Sequence, residues 1–123
     1  MKNLLIYATN VTPEILFNLN GEFSVKGISI PEKATKFYQD ILLWIDEQKE
    51  FFPPKIKLTL TIEYMNTPSK KFMILLIKKL IESCHNKNKL EIEWMYDHEV
   101  MDLKEEGEMI EEVVGYTFSF KKY

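Results

Sequence analysis

The chain has 123 residues, enough for one domain whose core needs neither a disulfide nor a metal. With 28% charged and 46% hydrophobic residues it has ordinary globular composition, which argues against disorder. The net charge is −3 and basic residues cluster no further than Lys70-Lys71, Lys78-Lys79 and Lys121-Lys122, so nucleic acid, whose affinity comes largely from phosphate neutralisation, is a poor partner.

The single cysteine, Cys84, forbids an intrachain disulfide and suits a reducing compartment, so a cytoplasmic location is expected. Leu4 to Ala8 is too short for a signal-peptide core, and nothing approaches the ~20 apolar residues of a membrane span. No internal repeat and no second domain is expected.

Lys2 to Ala8 reads as a first strand. Pro13 to Leu19 reads as a second, joined by the hairpin signal Asn20-Gly21 to a third over Phe23 to Ile28. Ser29 or Ile30, then Pro31 and Glu32, look like the start of a helix that runs to about Phe51. Ala34, Phe37, Tyr38, Ile41, Leu42 and Ile45 recur on one face of it. Pro53-Pro54 breaks this helix, and Ile56, Leu58, Leu60, Ile62 and Tyr64 alternate with Lys57, Thr59, Thr61 and Glu63 in a strand buried on one side.

The second helix runs from Pro68 to about His85, and from Phe72 to Ile77 it is apolar all round, as a central or partner-facing helix would be. Leu90, Ile92, Trp94 and Tyr96 form another half-buried strand, Asp97 to Val114 an acidic third helix, and Tyr116, Phe118 and Phe120 a last strand. The order β-β-β-α-β-α-β-α-β, with strands that alternate rather than run apolar throughout, predicts an α/β chain. Its sheet is mixed, with an N-terminal β-meander, helices mainly on one face and the other face partly open to water. Strands joined by a helix should be parallel neighbours with right-handed crossovers.

Chemistry concentrates at Asn66-Thr67-Pro68-Ser69-Lys70-Lys71, where a strand enters the second helix. A helix mouth carries unpaired N–H groups and partial positive charge and receives a phosphate well. Thr67 is the candidate phosphoacceptor and Ser69 the fallback. The amides of Ser69 and Lys70, with the ammonium groups of Lys70 and Lys71, are the expected surroundings of the phosphate. The plainer reading makes Thr67 an N-cap followed by Pro68 at the first helical position, in which case Thr67→Ala costs about 1 kcal/mol.

Other clusters are weaker. Asp97, His98 and Asp102 would supply metal ligands if His98 and Asp102 shared a helix face, the basis for a small metal-dependent enzyme; Asp97 as an N-cap and acids in a first turn explain them more simply. Cys84 and His85 are adjacent on a helix and point apart. Glu105, Glu106, Glu108, Glu111 and Glu112 form an acidic surface around Gly107, where a kink or close contact is expected. The four glycines are scattered, with no phosphate loop, so no cofactor is expected.

An ordered set of segments resembles the SiaC-type regulatory phosphoprotein family. It comprises Thr12-Pro13-Glu14-Ile15, Asn18 and Gly21; Gly27-Ile28-Ser29, Pro31-Glu32 and Phe37-Tyr38; Trp44; Tyr64-Met65-Asn66-Thr67-Pro68-Ser69-Lys70; Trp94-Met95-Tyr96-Asp97; and Gly107-Glu108. The resemblance spans nearly the whole chain and implies a fold similar to STAS domains and anti-anti-sigma factors. It also implies a non-enzymatic bacterial regulator in a partner-switching pathway. Its implied partners are a protein kinase, a PP2C-type phosphatase and a target that binds the unphosphorylated form, such as a diguanylate cyclase whose cyclic-di-GMP output controls biofilm. The acceptor maps onto Thr67. The chain departs from the family pattern in placing Pro68, not a small hydroxyl residue, directly after it, which bears on kinase recognition. A constitutive interaction scaffold is the other non-enzymatic reading.

Overall fold

Where apolar and polar residues alternate strictly, one face of a strand is buried, and Lys55–Met65 shows this from Ile56 to Ile62: Ile56, Leu58, Leu60 and Ile62 are buried while Lys57 and Glu63 are exposed. The pattern breaks at Tyr64, which is exposed rather than buried as its alternation predicts, because the pairing with the neighbouring strand shifts by one residue after Gly27. The computed structural model describes residues 1–123. Its elements are β1 (Leu4–Ile6), β2 (Glu14–Phe17), β3 (Glu22–Ser29), α1 (Ala34–Gln48), a 3-10 turn (Lys49–Phe51), β4 (Lys55–Met65), α2 (Thr67–Cys84), β5 (Lys89–Tyr96), α3 (Met101–Val114) and β6 (Ser119–Lys122).

The six strands lie in sequence order, β1-β2-β3-β4-β5-β6. The first three are joined antiparallel and β3 to β6 are all parallel, which gives the mixed sheet that the alternation implied. Three successive crossovers step in one direction across the sheet, and right-handed crossovers of that kind put every helix on the same face. The burial agrees: β4 and β5 bury one side chain in two toward the helices and leave Lys57, Glu63 and Glu91 on the open face.

Asn20-Gly21 does turn the hairpin, with Phe17 facing Phe23 across it and Gly21 at φ 112°, a conformation that favours glycine. Gly21 also lies against the Lys55 carbonyl too closely for any side chain. Phe17 and Phe23 stack at 4.7 Å and meet Trp44 and Phe52 edge-on, which locks the meander to α1. Helix α2 lies between the other two helices, buries Met73, Leu76, Ile77 and Leu80, and exposes Leu75.

Several boundaries differ from the sequence reading for reasons of pairing. Ser29 does not begin a helix; it stays in β3 opposite Met65, the Ile30 amide donates to the Val11 carbonyl at 2.8 Å, and α1 starts only at Ala34. The first strand shortens to Leu4–Ile6, the extent that finds partners on β2. The last strand shifts to Ser119–Lys122, because Tyr116 leaves the sheet to donate its hydroxyl to the Leu90 carbonyl. Gly107 makes the expected close contact: a Cβ there would lie 2.6 Å from the Trp94 indole, so its absence lets α3 settle onto β5.

Candidate functional site

In a parallel sheet the carboxyl ends of the strands, and the helix starts that follow them, gather along one edge. On that edge β4 passes into α2 with Asn66 as the single linking residue. Asn66 is the N-cap: its backbone is extended, at φ −80° and ψ 174°, and its side-chain carbonyl accepts from the Ser69 amide at 3.0 Å. The Asn66 amide in turn donates to the Ser29 carbonyl at 3.1 Å, which pins the cap to β3.

Thr67 is therefore the first helical residue rather than the cap, with Pro68 second. Both Asn and Thr are good capping residues, and the structure selects the one whose own amide is held by β3. Thr67 is exposed. The amides expected to receive a phosphate are both taken by Asn66: Ser69 donates to its side chain, and Lys70 donates to its carbonyl at 3.0 Å. Pro68 has no N–H to offer. A phosphate on Thr67 would be compensated by side chains and water rather than by a cradle of those amides.

Ser69 is fully buried, and its oxygen accepts from the Ser29 hydroxyl at 2.8 Å. Ser29 lies 2.6 Å from the hydroxyl of the buried Tyr38, which must be the donor there because the Ser29 proton is already given to Ser69. Burial pushes the Tyr38 phenol up, against the opposing pull of the Ser29 and Ser69 hydroxyls, so it stays protonated at neutral pH. The Tyr38 ring stacks on Phe72 of α2 at 5.6 Å. Strand β3, helix α1 and the first turn of α2 thus share one buried chain of hydroxyls, which ends on Ser69, two residues after Thr67.

Of the two hydroxyls proposed as acceptors, only that of Thr67 faces a reagent from outside; the one on Ser69 is enclosed. Lys71 is exposed, whereas Lys70 is half-buried and its ammonium lies 3.2 Å from Glu106 of α3. Along the same edge Val11, Ile30 and Tyr64 are exposed apolar or aromatic residues, Tyr64 at 59%. Sequence reasoning missed Ser29, Tyr38 and Glu106. Ser29 reads locally as a helix start, and the other two become part of the site only through long-range contacts.

The other clusters do not assemble. Asp97 does not cap α3: its carboxylate accepts from the Glu99 amide at 2.9 Å in a local turn, and α3 starts after Val100, with no side-chain cap. His98 lies outside α3 and points its ring at the Tyr123 carbonyl, so it shares no helix face with Asp102. No three His, Cys, Asp or Glu side chains converge as metal donors. Cys84 is buried, with its thiol pushed up to about 11 by burial, and His85 closes α2 by donating its amide to the Glu82 carbonyl. The acidic helix is only partly a solvated face, since Glu111 accepts from the Phe118 amide at 2.7 Å and Glu106 holds Lys70.

Comparison with known proteins matches the sequence to a family and the fold to solved structures. A family model described as SiaC family regulatory phosphoprotein matches residues 6–123. An uncharacterised protein of Pseudomonas aeruginosa strain UCBPP-PA14 is 25% identical over 124 residues, covering 100% of this chain and 98% of the relative. The solved structure of SiaC of Pseudomonas aeruginosa superposes with a TM-score of 0.83 at 26% identity, covering 100% of both chains. A crystal structure of the diguanylate cyclase SiaD in complex with its activator SiaC, from the same organism, matches with a TM-score of 0.87 at 25% identity, covering 98% of this chain and 99% of that one.

Proposed function

The chain belongs to the SiaC family of regulatory phosphoproteins, and from that premise we propose that it is a non-enzymatic, cytoplasmic partner switch, phosphorylated reversibly on Thr67 by a protein kinase and restored by a PP2C-type phosphatase. Its unphosphorylated form binds and activates a target enzyme, such as a diguanylate cyclase. The observation that carries this reading is the exposed hydroxyl of Thr67 on the first residue of α2, beside a Ser69 that is buried.

The physical logic is a change of surface without a change of fold. Unmodified, the edge around Thr67 offers Ile30 and Tyr64 to a partner at little desolvation cost. A phosphate adds about −1.5 to −2 charges and three acceptor oxygens. A partner closing over it would have to strip water from a dianion, which is strongly unfavourable unless countercharges are supplied. Asn66, not Thr67, caps the helix, so the modification leaves the cap intact and α2 in place.

That a relative is named as the activator of a diguanylate cyclase supports the choice of target class. The test is a binding titration against the diguanylate cyclase encoded by the same organism. Unmodified protein and Thr67→Ala should bind, whereas Thr67-phosphorylated protein and Thr67→Asp should bind at least tenfold more weakly with unchanged circular dichroism. Equal binding by all four would leave a constitutive scaffold as the better description.

A further inference from the structure

Thr67, Lys70 and Glu106 stand in series across the seam between α2 and α3. Lys70 is three residues on from Thr67 and so lies on the same side of the helix, and its ammonium reaches Glu106 at 3.2 Å. We propose that a phosphate on Thr67 draws Lys70 away from Glu106 and thereby loosens α3, so that the Lys70–Glu106 pair carries the modification from the mouth of α2 to a second helix. This rests on Thr67 being the phosphoacceptor.

The cap geometry leaves few alternatives for neutralising the phosphate. The Ser69 and Lys70 amides are engaged by Asn66 and Pro68 has none, which leaves the ammonium groups of Lys70 and Lys71 as the countercharges on the first turn of α2. Lys71 is exposed and makes no ion pair, so its recruitment disturbs nothing. Lys70 already has a partner. A phosphate of about −1.5 to −2 charges outweighs a single carboxylate in the competition for it, and if Lys70 stayed between the two anions they would still repel across it.

The loss falls on Glu106. Its Oε1 is enclosed and makes no aligned hydrogen bond, so Lys70 is the charge that compensates it. A half-buried carboxylate that loses its counter-ion is destabilised far more than an exposed one. Helix α3 is also the most weakly held of the three helices: it starts without a side-chain cap and buries Leu103, Gly107 and Ile110, against six residues buried by α2. Elements with the least buried surface open first.

The test uses phosphothreonine placed at position 67 during translation, which requires no knowledge of the kinase, in the otherwise natural chain and in Glu106→Gln. Amide hydrogen exchange across Met101–Val114 is the readout, with circular dichroism as the check on folding. Phosphorylation should speed exchange in α3 by about fivefold or more, within the range of ordinary coupling between sites. In Glu106→Gln the phosphate should leave α3 exchange unchanged, because no carboxylate remains to be abandoned. No acceleration in the natural chain, or equal acceleration in both, overturns the proposal. The parent reading stands or falls separately, on whether phosphate is found on Thr67 in cells and lowers target binding.

Discussion

Two helix starts in this chain have similar chemistry in sequence and opposite fates in the structure. At the mouth of α2, Asn66 caps, Thr67 is exposed, and a buried chain of Ser69, Ser29 and Tyr38 fixes the turn from below. At the mouth of α3, Asp97 spends its carboxylate on a local turn, His98 is tied to Tyr123 at the end of the chain, and Val100 precedes the helix without a side-chain cap. A polar residue before an apolar helix is therefore not in itself a site. What distinguishes the first mouth is an exposed hydroxyl beside a cap and a buried hydroxyl chain that are already committed, so that modification changes the surface while the cap and the start of α2 stay in place.

The sharpest way to break this comparison is to remove the buried support. Ser69→Ala deprives the Ser29 hydroxyl of its acceptor, and a buried donor left without a partner costs about 1–3 kcal/mol. A urea-unfolding midpoint that does not fall would mean that the hydroxyl chain is ornamental. Asn66→Ala comes next, since loss of a side-chain cap costs about 1 kcal/mol. Asp97→Ala, which removes only the acceptor of a local turn at a mouth with no side-chain cap, should cost less than Asn66→Ala. Equal losses for these two would erase the difference between the two starts.

The smallest effect on stability is expected for Thr67→Ala, within about 0.5 kcal/mol, because Thr67 is not the cap. This revises the loss of about 1 kcal/mol that its neighbourhood suggests in sequence. A loss of that size in the same urea titration would return the capping role to Thr67.

Much of the architecture was legible because each strand and helix advertises its own period. The alternation from Ile56 to Ile62 marks β4 as half-buried, and Asn20-Gly21 marks the hairpin; both depend on residues a few positions apart. The segment Asn66 to Lys71 was also legible as the place of interest. Which of Asn66 and Thr67 caps was not, because the decision lies in the Asn66 amide meeting the Ser29 carbonyl across the sheet. Ser29 itself was lost to a local helix signal, and pairing with Met65 overrode it. Likewise α3 begins late because the His98 amide donates to the Tyr123 carbonyl, a contact from the far end of the chain that no local pattern announces. Lys70–Glu106 belongs to the same class, since only the packing of α3 beside α2 creates it.

The central claim is that phosphate on Thr67 and possession of a partner exclude each other. Site-localising mass spectrometry of the protein from its native cells, separated into partner-bound and free fractions, tests this most directly. Phosphate should be found on Thr67, not on Ser69, and should be confined to the free fraction. Thr67 phosphorylated to the same extent in both fractions, or phosphate residing on Ser69, would contradict the account.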